Sequence, residues 1–302
     1  MQQTGNEFIV LGTSSGPNSE AERAQPANAL VVNGQVYLVD AGDGAVAQLA
    51  KAGQALGRVR GVFLSHLHFD HTGGMFAVIG LRAQLQQRGT FQVYGPPGTR
   101  ALVDGLVAAA APGMLAAYGI PGETWSADIE AIELTDGATI SLPGVEVTVA
   151  ENTHYRLAEG DERQPDGTGL SFRFDLEDRS IVYTGDTGPS DAVVELAKGA
   201  DILISEMIDV DAVLARMGLG GEGRAAAALA GEQMSSFERH MYLHHMTPTQ
   251  VGELARAAGV GRVIATHYAP NPTSAEQAQG YLDRIAASYD GNAELAKDLA
   301  RY

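Results

Sequence analysis

The apolar run Gly61-Val62-Phe63-Leu64 ends directly in Ser65-His66-Leu67-His68-Phe69-Asp70-His71, and this junction constrains the chain more than any other feature. The run reads as a buried strand, and side chains at i and i+2 beyond its end point to the same side. His66 and His68 can therefore share one metal. After a turn, the adjacent Asp70 and His71 can face a second. The chain holds only eight histidines, and a solvated loop gives no reason for three of them within six residues. Imidazole and carboxylate donors suit zinc, and also manganese or iron.

The H-x-H-x-D-H order of His66, His68, Asp70 and His71 resembles the signature of the metallo-β-lactamase superfamily. In that family a distant His, a bridging Asp and a last His complete the set, each at a strand end. His154 follows the strand-like Val145-Glu146-Val147-Thr148-Val149-Ala150, Asp186 follows Ser180-Ile181-Val182-Tyr183-Thr184, and His267 follows Arg262-Val263-Ile264-Ala265-Thr266. The resemblance spans Phe8 to about Leu299. It implies an α/β fold, a four-layer αββα sandwich. It also implies two divalent metal ions, zinc first with manganese or iron as alternatives. His66, His68 and His154 would hold one ion, Asp70, His71 and His267 the other, and Asp186 would bridge them. Two such ions lie about 3.5–4 Å apart and share a water or hydroxide. With two carboxylates and a hydroxide, the pair keeps a net charge of about +1, which favours developing negative charge.

Asp40, in Asp40-Ala41-Gly42-Asp43-Gly44, ends another strand-like run, Val36-Tyr37-Leu38-Val39. It is a candidate to orient a ligand histidine, beside its plainer role in a tight turn. His245-Met246-Thr247 precedes a helix with Thr247 as cap and Pro248 at its first position. This element resembles the H-x-T of ribonuclease Z and of arylsulfatase-like and phosphodiesterase-like enzymes. In that branch the His, here His245, can protonate the leaving group or hold an anionic oxygen. Asp70, beside its role as ligand, is the candidate to take the water proton. His244 is a lesser candidate, and His240 is expected outside the site. Tyr155, Tyr268, Trp125 and Glu206 are candidates for the substrate pocket.

Two departures within that branch favour a small-molecule ester of phosphodiester or aryl sulfate type. Ribonuclease Z carries a long tRNA-gripping arm between its equivalents of His154 and Asp186, whereas only 31 residues separate them here. Ser205-Glu206-Met207 replaces a His-Glu-rich element. The segment Asn292–Leu299 resembles the closing strand of arylsulfatase-like members. The formal net charge of −17 opposes long-range attraction of a polyanion, so nucleic acid is not expected as a partner. Alternatives are a lactonase or β-lactamase-type acyl hydrolase, an iron-dependent oxidoreductase of the same fold, and a non-catalytic binding module. The absence of cysteine excludes the Cys-ligand β-lactamase classes.

The 45% of hydrophobic residues suffices for a sizeable core. No apolar stretch approaches the ~20 residues of a membrane helix, so no membrane partner is expected. The polar start, Met1–Glu7, lacks a signal-peptide core. It fits either the mature end of an exported protein or a cytosolic one. Strands are expected at 8–12, 29–32, 36–40, 60–64, 91–94, 145–149, 170–175, 180–184, 202–205 and 262–266, with helices between them. The expected organisation is one domain over 1–302, with a helical lid inserted at about 208–244. A homodimer is the assembly considered.

Overall fold

Short apolar runs form strands, and helices fall between several of them, as between residues 41 and 129 and between residues 183 and 292. The computed structural model describes residues 5–156, 167–221, 223–231 and 233–302. The first part runs β1 (Glu7–Gly12), β2 (Ala27–Val32), β3 (Gln35–Ala41), α1 (Ala45–Lys51), β4 (Val59–Phe63), α2 (Phe69–Thr72), α3 (Met75–Gln84), β5 (Phe91–Gly95), α4 (Thr99–Ala116) and β6 (Ile129–Glu133). It continues through β7 (Thr139–Leu142), β8 (Val145–Glu151), β9 (Leu170–Leu176), β10 (Ser180–Tyr183), α5 (Asp191–Leu196), β11 (Ile202–Ile208), α6 (Val210–Arg216), α7 (Arg224–Leu229) and α8 (Ser236–His244). Last come α9 (Pro248–Ala258), β12 (Arg262–Ala269), α10 (Ala275–Ala286), β13 (Asn292–Leu295) and β14 (Ala300–Arg301). The α/β class expected from the sequence is the class observed.

The chain forms two compact units. One comprises the residues up to Leu134 with Lys297–Tyr302, the other Thr135–Ala296. In the first, the sheet order is β14-β1-β2-β3-β4-β5-β6. β1 to β3 pair antiparallel, and β3 to β6 pair parallel. Leu38, Val62 and Val93 are buried with Leu49, Met75, Val78, Ile79 and Val103 from the helices, so the parallel strands read as continuous apolar runs. The C-terminal segment is bound by Asp298, whose carboxylate accepts from the Thr13 amide and hydroxyl, the Ala24 amide and the Gln48 side-chain amide.

In the second unit the order is β13-β12-β11-β10-β9-β8-β7. Its core joins Val182, Leu203 and Val263 to Val251, Leu254 and Ile285 of α9 and α10. Helix α9 begins as expected: Thr247 caps it, Gln250 returns the bond to the Thr247 amide, and Pro248 stands at its start. A Cβ at Gly252 would lie 2.3 Å from the Ile285 carbonyl, so only glycine lets α9 approach α10 this closely.

Strands β6 and β7 were not expected. Both are sheet edges with partly exposed side chains, IEAIE and TISL, and lack the apolar density that marks a central strand. The segment 208–244, expected as a helical insertion, divides into α6, α7 and α8. No helix among the described residues is long and apolar enough to cross a membrane.

Candidate metal centre

In the first unit, β4 delivers the histidine segment and α2 turns it back. His66 Nε2 and His68 Nδ1 stand 3.1 Å apart, close to the ~3.3 Å that separates neighbouring nitrogens on a tetrahedral zinc. His71 lies on α2 with its Nε2 3.5 Å from the Asp70 carboxylate, and Thr72 Oγ1 donates to the His68 carbonyl. Asp40 anchors the group. Its carboxylate accepts from the Ser65 amide (2.7 Å) and hydroxyl (2.8 Å), and contacts His71 Nδ1 at 2.7 Å. The pairing of β2 with β3 skips Asp40, which takes φ +58° at this bulge. A one-residue bulge re-aims a side chain, and here it swings the carboxylate toward Ser65 and His71. The Asp70 carboxylate accepts from the Gly16 amide at 3.1 Å.

The second unit uses the same device. Glu206 of β11 pairs with Thr266 and Met207 with Tyr268, so β12 bulges at His267, whose φ is +47°. His267 Nε2 then lies 3.4 Å from the buried Asp186 carboxylate. His154 follows β8 in a turn held by Asn152, which accepts from the His154 amide and donates to Ser171 Oγ and the Thr184 carbonyl. His154 Nδ1 donates to the His244 carbonyl at 3.0 Å. Burial holds His154 well below the ordinary histidine value, partly opposed by the charge of Asp186. It is therefore neutral at pH 7, as a metal ligand must be.

Glu206 is fully buried. Its Oε1 accepts from the Thr187 amide at 2.6 Å, and its Oε2 meets His245 Nδ1 at 2.9 Å. Burial raises its carboxyl above the usual range, His245 opposes that shift, and Asp186 adds to it. The His245 ring stacks near His267, at 6.3 Å between centroids.

The remaining candidates are placed as follows. Tyr155 lies edge-on to His154, 4.9 Å between ring centroids. Tyr268 is buried in the second unit's core and donates to the Ala296 carbonyl. Trp125 packs against Tyr118 and the apolar core of the first unit. His240, expected outside the cluster, lies 5.0 Å from His154 and 5.1 Å from His245 between ring centroids. Its four-residue spacing from His244 on α8, immediately before His245, was a legible sign of this placement.

In each unit these donors are imidazoles and carboxylates, and His71 and His154 have Nδ1 engaged by a carboxylate or carbonyl, which directs Nε2 to the ligating role. This is the donor chemistry of divalent transition metals, and the residues present fit such ions.

Comparison with known proteins agrees. The Beta-lactamase superfamily domain matches residues 35–268. A ribonuclease Z of Mycobacterium sp. (strain KMS) is 31% identical over 300 residues, covering 98% of this chain and 95% of the relative. The chain belongs to the metallo-β-lactamase superfamily, in its ribonuclease Z branch. It is a metal-binding hydrolase of that superfamily. The fold is shared with the Bacillus subtilis protein YhfI (TM-score 0.70, 17% identity, 98% of each chain) and with human tRNase Z, short form (TM-score 0.67, 19% identity, 98% of each chain).

These relatives overturn the expected small-molecule ester substrate and the exclusion of nucleic acid. The finer readings of a small-molecule aryl sulfate, phosphodiester or lactone as substrate fall with them. Two of the grounds for that expectation, net charge and the missing arm, fail for physical reasons. Net charge sums the whole surface, whereas substrate meets a local field that bound cations dominate. The missing room for an arm does not separate this chain from a ribonuclease Z whose length it covers to 95%. Of the segment between His154 and Asp186, residues 157–166 lie outside the described residues.

Proposed function

We propose that the chain is a metal-dependent ribonuclease that hydrolyses a phosphodiester bond in RNA, with tRNA precursors as the first substrate class. The observation that carries this reading is the 31% identity to a ribonuclease Z across 98% of the chain. His66, His68, Asp70 and His71 of the first unit, with His154, Asp186 and His267 of the second, are the proposed donors for two divalent ions, zinc by the preponderance of imidazole. When bound, such ions polarise the phosphoryl oxygen and acidify water.

The chain's own groups supply the rest. Asp70 takes a proton from the attacking water. His245, its Nδ1–H directed at Glu206, acts as the imidazolium: it hands its Nε2 proton to the leaving oxygen as the P–O bond breaks and ends neutral. Asp40 fixes the direction of His71. Within a single catalytic domain, the helical stretch 208–244 is the segment proposed to close over substrate.

The test is incubation of the full chain, loaded with zinc or manganese, with a tRNA precursor bearing a 3′ extension. Cleavage that stops with EDTA and with Asp70→Asn is expected. No cleavage of any RNA under metal-replete conditions would overturn the reading.

A further inference from the structure

His244 is the last residue of α8 and directly precedes His245. The turn that carries His154 is fixed at its start by Asn152, and at its far end the Arg156 amide donates to the Thr153 carbonyl at 3.0 Å. His244 meets this turn twice. Its ring Nε2 lies 2.8 Å from the Arg156 carbonyl, which only accepts, so that nitrogen carries a proton and donates. Its own carbonyl accepts from His154 Nδ1 at 3.0 Å. One helical turn earlier, His240 Nδ1 lies 2.9 Å from His244 Nδ1 and braces the other side of the ring. All of these residues belong to the second unit.

The two bonds act together. The last carbonyls of a helix have no partner within it and carry the negative end of its dipole. The His244 carbonyl is one of these in α8, and the His154 Nδ1–H satisfies it. That bond fixes the tautomer of His154, directs Nε2 to the ligating role and makes it a better electron-pair donor. It holds only while the turn keeps its distance from the helix end, and the bond from the His244 ring to Arg156 sets that distance. The two bonds close a short loop, with His154, Tyr155 and Arg156 on one side and His244 alone on the other. Neither bond can lengthen far without straining its neighbour.

We propose that His244 is a positioning residue for the metal centre: its ring and its carbonyl clamp the His154 turn to the end of α8 and hold His154 in the ligating orientation. It acts through His154. The inference rests on the ribonuclease reading only for the assignment of His154 as a ligand.

The test is the affinity of the full apoprotein chain for zinc, measured by competition with a chromophoric chelator. Wild type, His244→Ala, His244→Asn, His244→Gln, His154→Ala and His154→Ala/His244→Ala are compared, with circular dichroism and thermal melts to report folding. Losing the partner that orients a ligand histidine costs about 10–100-fold in metal affinity, and that loss is expected for His244→Ala. Glutamine places an amide N–H near the position of imidazole Nε2, asparagine near that of Nδ1. His244→Gln should therefore recover most of the affinity and His244→Asn should not. In the double variant the His244 substitution should add nothing to the loss from His154→Ala, because the ligand it orients is gone. Unchanged affinity in His244→Ala, equal losses in the Gln and Asn variants, or additive losses in the double variant would overturn the clamp. If His244→Ala does not fold, the comparison of His244→Gln with His244→Asn decides alone. This pattern of zinc affinities in a protein that cleaves no RNA would refute the ribonuclease reading alone, and a wild-type chain that binds no zinc would overturn both.

Discussion

Glu206 Oε2 lies 2.9 Å from His245 Nδ1 inside the second unit, and the other carboxylate oxygen is taken by the Thr187 amide. A buried carboxylate with both oxygens engaged holds the imidazole in one tautomer and one orientation. Glu206→Gln keeps the shape but removes the charge, and its amide can turn a donor toward Nδ1. We expect kcat on RNA to fall about 10–100-fold with little change in fold, and His245→Ala to cost about 10²–10⁴-fold. Steady-state cleavage kinetics check both, and an unaffected Glu206→Gln enzyme would remove the orienting role.

Asp40 accepts from Ser65 twice and meets His71, wholly buried and at positive φ. Asp40→Ala leaves these groups without their acceptor and places alanine in a left-handed conformation. A loss of about 3 kcal/mol or more is expected in chemical denaturation, together with reduced metal content. Asp40→Asn tolerates the backbone and should lose less stability.

Gly16 packs directly on Asp70. A Cβ there would come within 2.2 Å of Asp70 Oδ2 and 2.4 Å of its Cβ, so rotation of the carboxylate alone cannot relieve the clash and the backbone must shift. Gly16→Ala should therefore lower metal affinity by about tenfold or more and also lower Tm. Calorimetric titration of zinc into the apoprotein, run beside thermal melts, measures both quantities.

Glu238 supplies a pH test. Hydrogen bonding to Arg224 first, and to Ser235, lowers its carboxyl from 4.5 to about 2. A depressed folded value means that its stabilisation is complete above the unfolded value and disappears as pH falls through the folded one. The Tm difference between wild type and Glu238→Gln should be constant from pH 7 down to about 5 and shrink between about 4.5 and 2. A difference that stays constant to pH 2 would contradict the linkage.

Sequence alone determined which residues carry metal-type chemistry, because short-range order suffices to recognise it. His66, His68, Asp70 and His71 lie within six residues, and His154, Asp186 and His267 each follow an apolar run that reads as a strand. The cap at Thr247 and the α/β class were legible for the same local reason. Edge strands β6 and β7 were not, since partial exposure dilutes their apolar pattern. Only the tertiary structure decided that Asp40 and His267 occupy bulges, that Glu206 is bonded to His245 across 39 residues, and that His240 joins His154 across 86. Bulges arise from pairing with a second strand, and such distant contacts depend on the packing of whole elements, which no local pattern encodes. Substrate class was misjudged from total charge for a related reason: a sum over the surface carries no information on the field at one place.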